Sequence, residues 1–321
     1  MPIKRKHRRV TPLLVAAVAL AVCLARPADA APEPSATGGS IPEPSAAGAI
    51  RDETGPQREA LNRQIRAWID ALSAQEPFRN WADAVPRVES LGPGTHGWLV
   101  TLTERQSGRT AGYMVIYPDP DREGGFRLGE YGTGDAPLFG ESALRHTLQA
   151  NGYLTPTGGY AADKAYRHPF AAAWKVRIGK ETYWLDAKTG EELPLNDRAW
   201  AKAAEAGKDR AGRPDRIPPV LPGETVASVR LNDVFDPYER LPWLTGEKAI
   251  SADPAGPLLE RLDAGLPVRF VTEPFGELML YAVPVIGYVA WSGGRVDLVF
   301  DQNGPRVVPL DTMRDLGHFY R

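Results

Sequence analysis

Short β-rich runs that alternate with glycine-bearing turns set the strongest limit on how this chain folds. "GWLVTLTE" and "AGYMVIYP" flank Gln106-Ser107-Gly108-Arg109, and "AAAWKVRI" and "ETYWLD" flank Gly179-Lys180. Ser292-Gly293-Gly294 and Asn303-Gly304 punctuate the last third in the same way. Such turns send a strand back antiparallel to the one before it. The pattern predicts strands at 126–131, 267–272, 278–291, 295–301 and 306–310 besides the two hairpins. Helices are predicted where apolar residues recur at helical spacing: "REALNRQIRAWIDAL", with Leu61, Ile65, Trp68, Ile69 and Leu72 on one face, then 141–150 and 257–264. "DRAWAKAAEAGKD" adds an alanine-rich helix with Asp197 as its expected cap. The fold class is therefore α+β, with a helix-plus-antiparallel-sheet half followed by a β-rich C-terminal half.

The N-terminus reads as an export signal. Lys4 to Arg9 is a positive segment, Leu13 to Leu24 is an unbroken apolar run, and Ala28-Asp29-Ala30 is a small-residue cleavage site. That run is shorter than the roughly 20 apolar residues a membrane span needs, so no transmembrane anchor is expected after cleavage. Residues 1–30 hold six of the 38 basic residues and one of the 40 acidic ones, leaving 32 against 39, a formal charge of −7. A nucleic acid or anionic membrane would need an electropositive footprint, so neither is an expected partner. Cys23 is the one cysteine. A chain without residues 1–30 has neither disulfide nor cysteine nucleophile and depends on apolar packing. The expected organisation is a signal peptide (1–30), a Pro/Ala/Ser/Gly spacer (31–55), an α+β domain (56–197), a helix and linker (198–223), and a β-rich domain (224–321).

Few constellations suggest chemistry. "DPDREGGFRLGE" places Asp119, Asp121, Glu123 and Glu130 at calcium-loop positions, but its flanks are strands rather than the helices that aim EF-hand ligands. A charged hairpin loop is the better account, and no metal is expected there. Ser142 in "GESAL" lacks the closing glycine of a nucleophile elbow and suits a helix start. His96, His146, His168 and His318 show no metal-ligand spacing, and no cofactor is expected. Trp68, Trp98, Trp174 and Trp184 lie in apolar runs and suit core packing, which leaves Trp243 as the candidate exposed aromatic anchor.

Two resemblances narrow the reading. A short helix, a W-x-V strand and "YWLDAKTGEEL", over residues 140–195, resemble a PepSY-type module. That resemblance implies a role in protease inhibition or regulation at the cell envelope. "LLERLDAGLPVRF", "LYAVPVIGYVAW" and "LVFDQNG", over 258–316, resemble papain-like peptidases of the bacteriocin-processing type. The resemblance puts Tyr281 where the catalytic histidine would stand and Asp301 at the orienting aspartate, with no counterpart of the cysteine helix. A phenol of ordinary pKa near 10 does not replace an imidazole base. The chain is expected to be a secreted, non-catalytic binding or regulatory protein, with a secreted peptidase, a peptide or a cell-wall component as partner. Tyr281, Asp301 and Trp243 are its candidate ligand-binding residues. A cell-wall glycan binder and a hydrolase using Asp297, Asp301 or Glu277 are the alternatives.

Overall fold

The computed structural model describes residues 55–155, 158–206 and 216–321. The expected signal peptide, the spacer up to residue 54 and part of the 198–223 linker lie outside the described residues. Those described form an α+β fold with antiparallel sheets and a β-rich C-terminal half.

Helix α1 (Gly55–Ser73) buries Leu61, Ile65, Trp68, Ile69 and Leu72, the residues whose spacing predicted its apolar face. A 3-10 turn at Glu76–Trp81 adds Phe78 and Trp81 to that core. Strands β1 (Ala84–Ser90), β2 (Trp98–Glu104), β3 (Thr110–Pro118) and β4 (Phe126–Thr133) follow as a meander. Helix α2 (Glu141–Ala150) leads into β5 (Ala161–His168), β6 (Ala171–Ile178) and β7 (Glu181–Asp186), a separate three-stranded sheet. After α3 (Asp197–Ala206) come β8 (Val226–Leu231), the short α4 (Pro242–Thr245) and α5 (Gly256–Asp263). The chain ends with β9 (Val268–Thr272), β10 (Tyr281–Trp291), β11 (Val296–Asp301), β12 (Pro305–Pro309), α6 (Leu310–Arg314) and β13 (His318–Tyr320).

The first and last thirds share one sheet, ordered β1-β2-β3-β4-β12-β11-β10-β9-β13, with β8 on β10. Its β2–β4 part is covered on both faces, which is why β3 is buried nearly end to end. Val100, Leu102, Met114, Ile116 and Leu128 meet α1, whereas Leu99, Tyr113, Val115 and Tyr117 meet α2 and the three-stranded sheet. That is the two-residue alternation of a strand, with both sets apolar. A third core joins α5 and α6 to β9–β13 and receives Phe170 from the β5–β6 turn.

The join between the two parts is thin: β4 and β12 align through the single pair Tyr131 and Val307. Buried charges stitch it instead. Arg306 donates to both oxygens of Glu130 at 3.1 and 3.0 Å, and Tyr113 and Tyr166 also donate to that carboxylate. On the opposite face Arg295 donates to Asp297 at 2.7 Å and to the Leu128 carbonyl, while Tyr131 and Trp291 donate to Asp297. Buried ion pairs add little net stability against apolar packing, but they penalise any register that separates the partners.

Two local expectations change. The strand predicted from Leu278 begins at Tyr281, because Gly276–Leu278 forms a 3-10 turn. Asn196 rather than Asp197 caps α3: Ala199 N–H donates to Asn196 Oδ1 at 2.9 Å, and Asp197 pairs with Lys175. A cap must precede the first helical residue to reach the amide three positions on.

Candidate functional site

The two stretches singled out by resemblance meet. At the end of β7, Asp186 Oδ1 accepts the amides of Lys188 and Thr189, which folds the Asp-Ala-Lys-Thr-Gly turn. Gly190 closes it with φ +76°, a region that disfavours side chains with a Cβ. The other oxygen, Oδ2, accepts the Tyr281 hydroxyl at 2.5 Å. Asn303, just past β11, touches the same turn, accepting from Lys188 Nζ at 2.9 Å and donating to the Lys188 carbonyl at 3.2 Å, while Asp301 is one of the more distant charges that favour the Lys188 ammonium. Of the candidate residues, Tyr281 thus makes a direct contact with residues 186–190.

That meeting place is closed and engaged. Lys188 is buried, and its ammonium donates to the Ala136 and Asn303 carbonyls while lying over the Tyr113 ring. Desolvation, and then the Arg306 charge, lower its pKa to about 8. Desolvation, then the charge of Asp186, push the Tyr281 phenol far above its ordinary range. It does not act as a base there. Behind them His168 is buried with Nδ1 unpartnered, and burial followed by Arg167 and Arg306 lowers its pKa to about 3. This is a neutral interior imidazole. Sequence reading missed Arg306 and Lys188 and considered His168 only as a metal ligand; a lone basic residue in a strand or turn carries no local sign that its partner lies far along the chain.

The remaining candidates are dispersed. Asp119 and Asp121 both grip the buried Arg127, Glu130 turns inward to Arg306, and Glu123 is exposed, so the four candidate ligands do not converge. Among the described residues no three His, Cys, Asp or Glu side chains gather as a metal site requires. Trp243 is partly buried, edge-on to Tyr238 and Tyr320, and the exposed apolar side chain beside it is Leu244. Asp297 is fully buried with both oxygens occupied.

No protein-family model, curated protein or solved structure matches this chain.

The open surface lies around β8. Asn232 N–H donates to Ile286 O, and Arg230 aligns with Tyr288, so the alternation of an antiparallel ladder turns Arg230 and Asn232 toward β10. It turns the amides and carbonyls of Val229 and Leu231 the other way. Among the described residues no strand pairs with that outer edge. Ala227, Ser228, Arg230 and Leu231 are exposed, and the chain beyond adds exposed Val234, Tyr238, Leu241 and Leu244. The start of β8 also borders a groove of about 370 Å³ between α1 and residues 220–226. No helix among the described residues is long and apolar enough to cross a membrane.

Proposed function

We propose that this is a non-catalytic binding or regulatory protein, exported to the cell envelope or beyond, which holds an extended segment of a peptide or peptidase along β8. One observation carries the reading: among the described residues nothing pairs with the outer edge of β8. Edge strands are ordinarily blunted by proline, charge or a covering element, because free amides and carbonyls recruit other strands. At the far end of the sheet β1 follows that rule, with Pro86, Arg87 and Glu89 in seven residues. "VASVRL" in β8 has no proline and one charge, and a row of exposed apolar side chains follows it. Main-chain pairing to such an edge supplies affinity, and alternate side chains supply selection.

The absence of catalysis fits the engaged state of Tyr281 and Asp186, whose hydroxyl and carboxylate are spent on each other. The PepSY-like stretch, α2 with β5–β7, then serves as the support that fixes this junction. Hydrogen exchange in the presence of a library of alternating apolar ten-residue peptides tests the proposal. Bound peptide should protect the amides of Val229 and Leu231. A peptide that binds without protecting them, or a library with no binder, overturns it.

A further inference from the structure

We infer that Arg269, with Arg240 and Arg261 close by, binds a single carboxylate presented by a polypeptide, from an acidic side chain or a chain end. The site stands on its own geometry and does not require docking at the β8 edge.

Sequence puts the charge in place. In "VRFVT" of β9, Val268 and Phe270 enter the core that α5 covers, so the alternation of a strand turns Arg269 to the opposite face. Its neighbours across the ladder are Pro284 on β10 and Tyr320 on β13, neither of which offers a counter-charge. The chain leaving β8 crosses that face. The Phe235 ring centre lies 4.9 Å from the guanidinium carbon, and the Pro237 carbonyl accepts Arg269 Nε–H at 3.0 Å. The crossing is pinned: the Tyr238 hydroxyl accepts the Ala282 amide at 3.3 Å, and Asp236 Oδ1 accepts the Tyr238 amide at 2.9 Å. Arg269 is left 2% exposed.

One demand stays unmet there. A guanidinium donates from every nitrogen and keeps its charge, and buried charges are ordinarily paired. Among the described residues the bond to Pro237 O is the one side-chain hydrogen bond of Arg269, and no carboxylate comes within 4.0 Å of it. Both terminal nitrogens lack a partner, yet neither is sealed from solvent. Phe235 covers a face and Pro237 holds the Nε edge, so the edge carrying the terminal nitrogens is the one open to an outside acceptor.

Further cations gather beside it. Arg261, in the last turn of α5, donates from Nε to the Pro267 carbonyl at 2.8 Å and likewise has no carboxylate partner among the described residues. Arg240 pairs with Glu247 at 2.7 Å. Burial and then Arg240 lower the pKa of Arg269; burial, then Arg321, Arg269 and Arg240, lower that of Arg261. A carboxylate matches the free edge of a guanidinium with a pair of parallel bonds, each about twice as strong as a neutral one. It needs an open edge rather than a deep cavity. Local charge also limits the ligand. Glu239, Glu247 and Asp236 act on Arg269 from beyond ion-pair distance, and they repel a dianion such as phosphate about twice as strongly as a carboxylate.

The Arg269 Nε–H resonance reports the site, because that proton is buried and hydrogen-bonded; its loss in Arg269→Lys assigns it. Nα-acetyl-glutamate methylamide and Nα-acetyl-glycine, titrated into the full chain at constant ionic strength, supply side-chain and terminal carboxylates. Nα-acetyl-glutamine methylamide is the neutral control and inorganic phosphate the dianion. The resonance should shift with a Kd of about 1–10 mM for at least one carboxylate, and the tighter of the two names the source. The neutral control should bind at least about tenfold more weakly. Arg261→Gln, a change at a half-buried position that leaves Arg269 in place, should weaken carboxylate binding about two- to fivefold, the weight of one exposed charge. A resonance unmoved by either carboxylate, equal response to acid and amide, tighter binding of phosphate, or unchanged affinity in Arg261→Gln overturns the site.

Discussion

The Tyr281 hydroxyl donates to Asp186 Oδ2 at 2.5 Å, joining β10 to the turn after β7 across 95 residues of sequence. The same carboxylate folds its own turn through Oδ1. A hydrogen bond to a charged acceptor contributes about 1.5–3 kcal/mol. Tyr281→Phe should cost an amount in that range in urea unfolding. A double-mutant cycle with Asp186→Asn should show coupling, since both changes remove one bond. Additive losses would mean that the two residues act independently.

The join between β4 and β12 makes a sharper demand. Glu130→Gln leaves Arg306 buried without its counter-charge, and breaking such a pair costs about 3–5 kcal/mol. Replacing both, as Glu130→Leu with Arg306→Met, should cost less than the two single changes summed. Denaturant midpoints measure this. A single Glu130→Gln change within about 1 kcal/mol of the parent would remove the pair from its role at the join.

These residues also mark how far the sequence could be read. The apolar face of α1 and the hairpins at 106–109 and 179–180 were legible, because local spacing and turn chemistry decide them. The phrase around Tyr281 was legible as a strand, and its valines do face the core. Glu130 was visible only as a possible calcium ligand, since its true partner Arg306 lies 176 positions away and nothing local announces it. β8 escaped notice for a different reason. With one buried residue in six, "VASVRL" lacks the half-buried alternation by which strands are recognised.

His168 gives the protein an acid sensitivity. Its folded pKa of about 3 lies below the ordinary 6.5, so between those values the unfolded chain binds a proton that the folded one refuses. Stability from this group is complete above pH 6.5 and falls as pH drops toward 3, by about 1.4 kcal/mol per pH unit at most. His168→Gln should therefore flatten the decline between pH 6.5 and 4 relative to the parent. Parallel stability curves for the two proteins would contradict a buried neutral imidazole.

Two glycines are constrained by what surrounds them. At Gly190, φ is +76° and a Cβ would stand 3.1 Å from Thr147 Oγ1, so Gly190→Val should destabilise by about 1–2 kcal/mol or more. An unchanged melting temperature would remove that strain. At Gly287 a Cβ would stand 1.9 Å from the Arg230 carbonyl oxygen, where β8 closes on β10. Gly287→Val should detach β8, seen as fast exchange of the Arg230 and Asn232 amides. Retained protection of both would contradict the close approach.

Proline substitution in β8 tests the central claim most directly, because the two faces of the ladder respond oppositely. The Val229 amide points away from β10, so Val229→Pro removes an outward donor while leaving the pairing to β10 intact. Ser228 is in the alternate class, and Ser228→Pro should loosen β8 itself. With a fluorescent ten-residue apolar peptide selected from the library, Val229→Pro should stay folded, its melting temperature lowered only by the lost packing of the half-buried Val229 side chain, and bind at least about tenfold more weakly, as loss of main-chain pairing requires. A folded Val229→Pro protein that binds the peptide as tightly as the parent would contradict docking at the β8 edge.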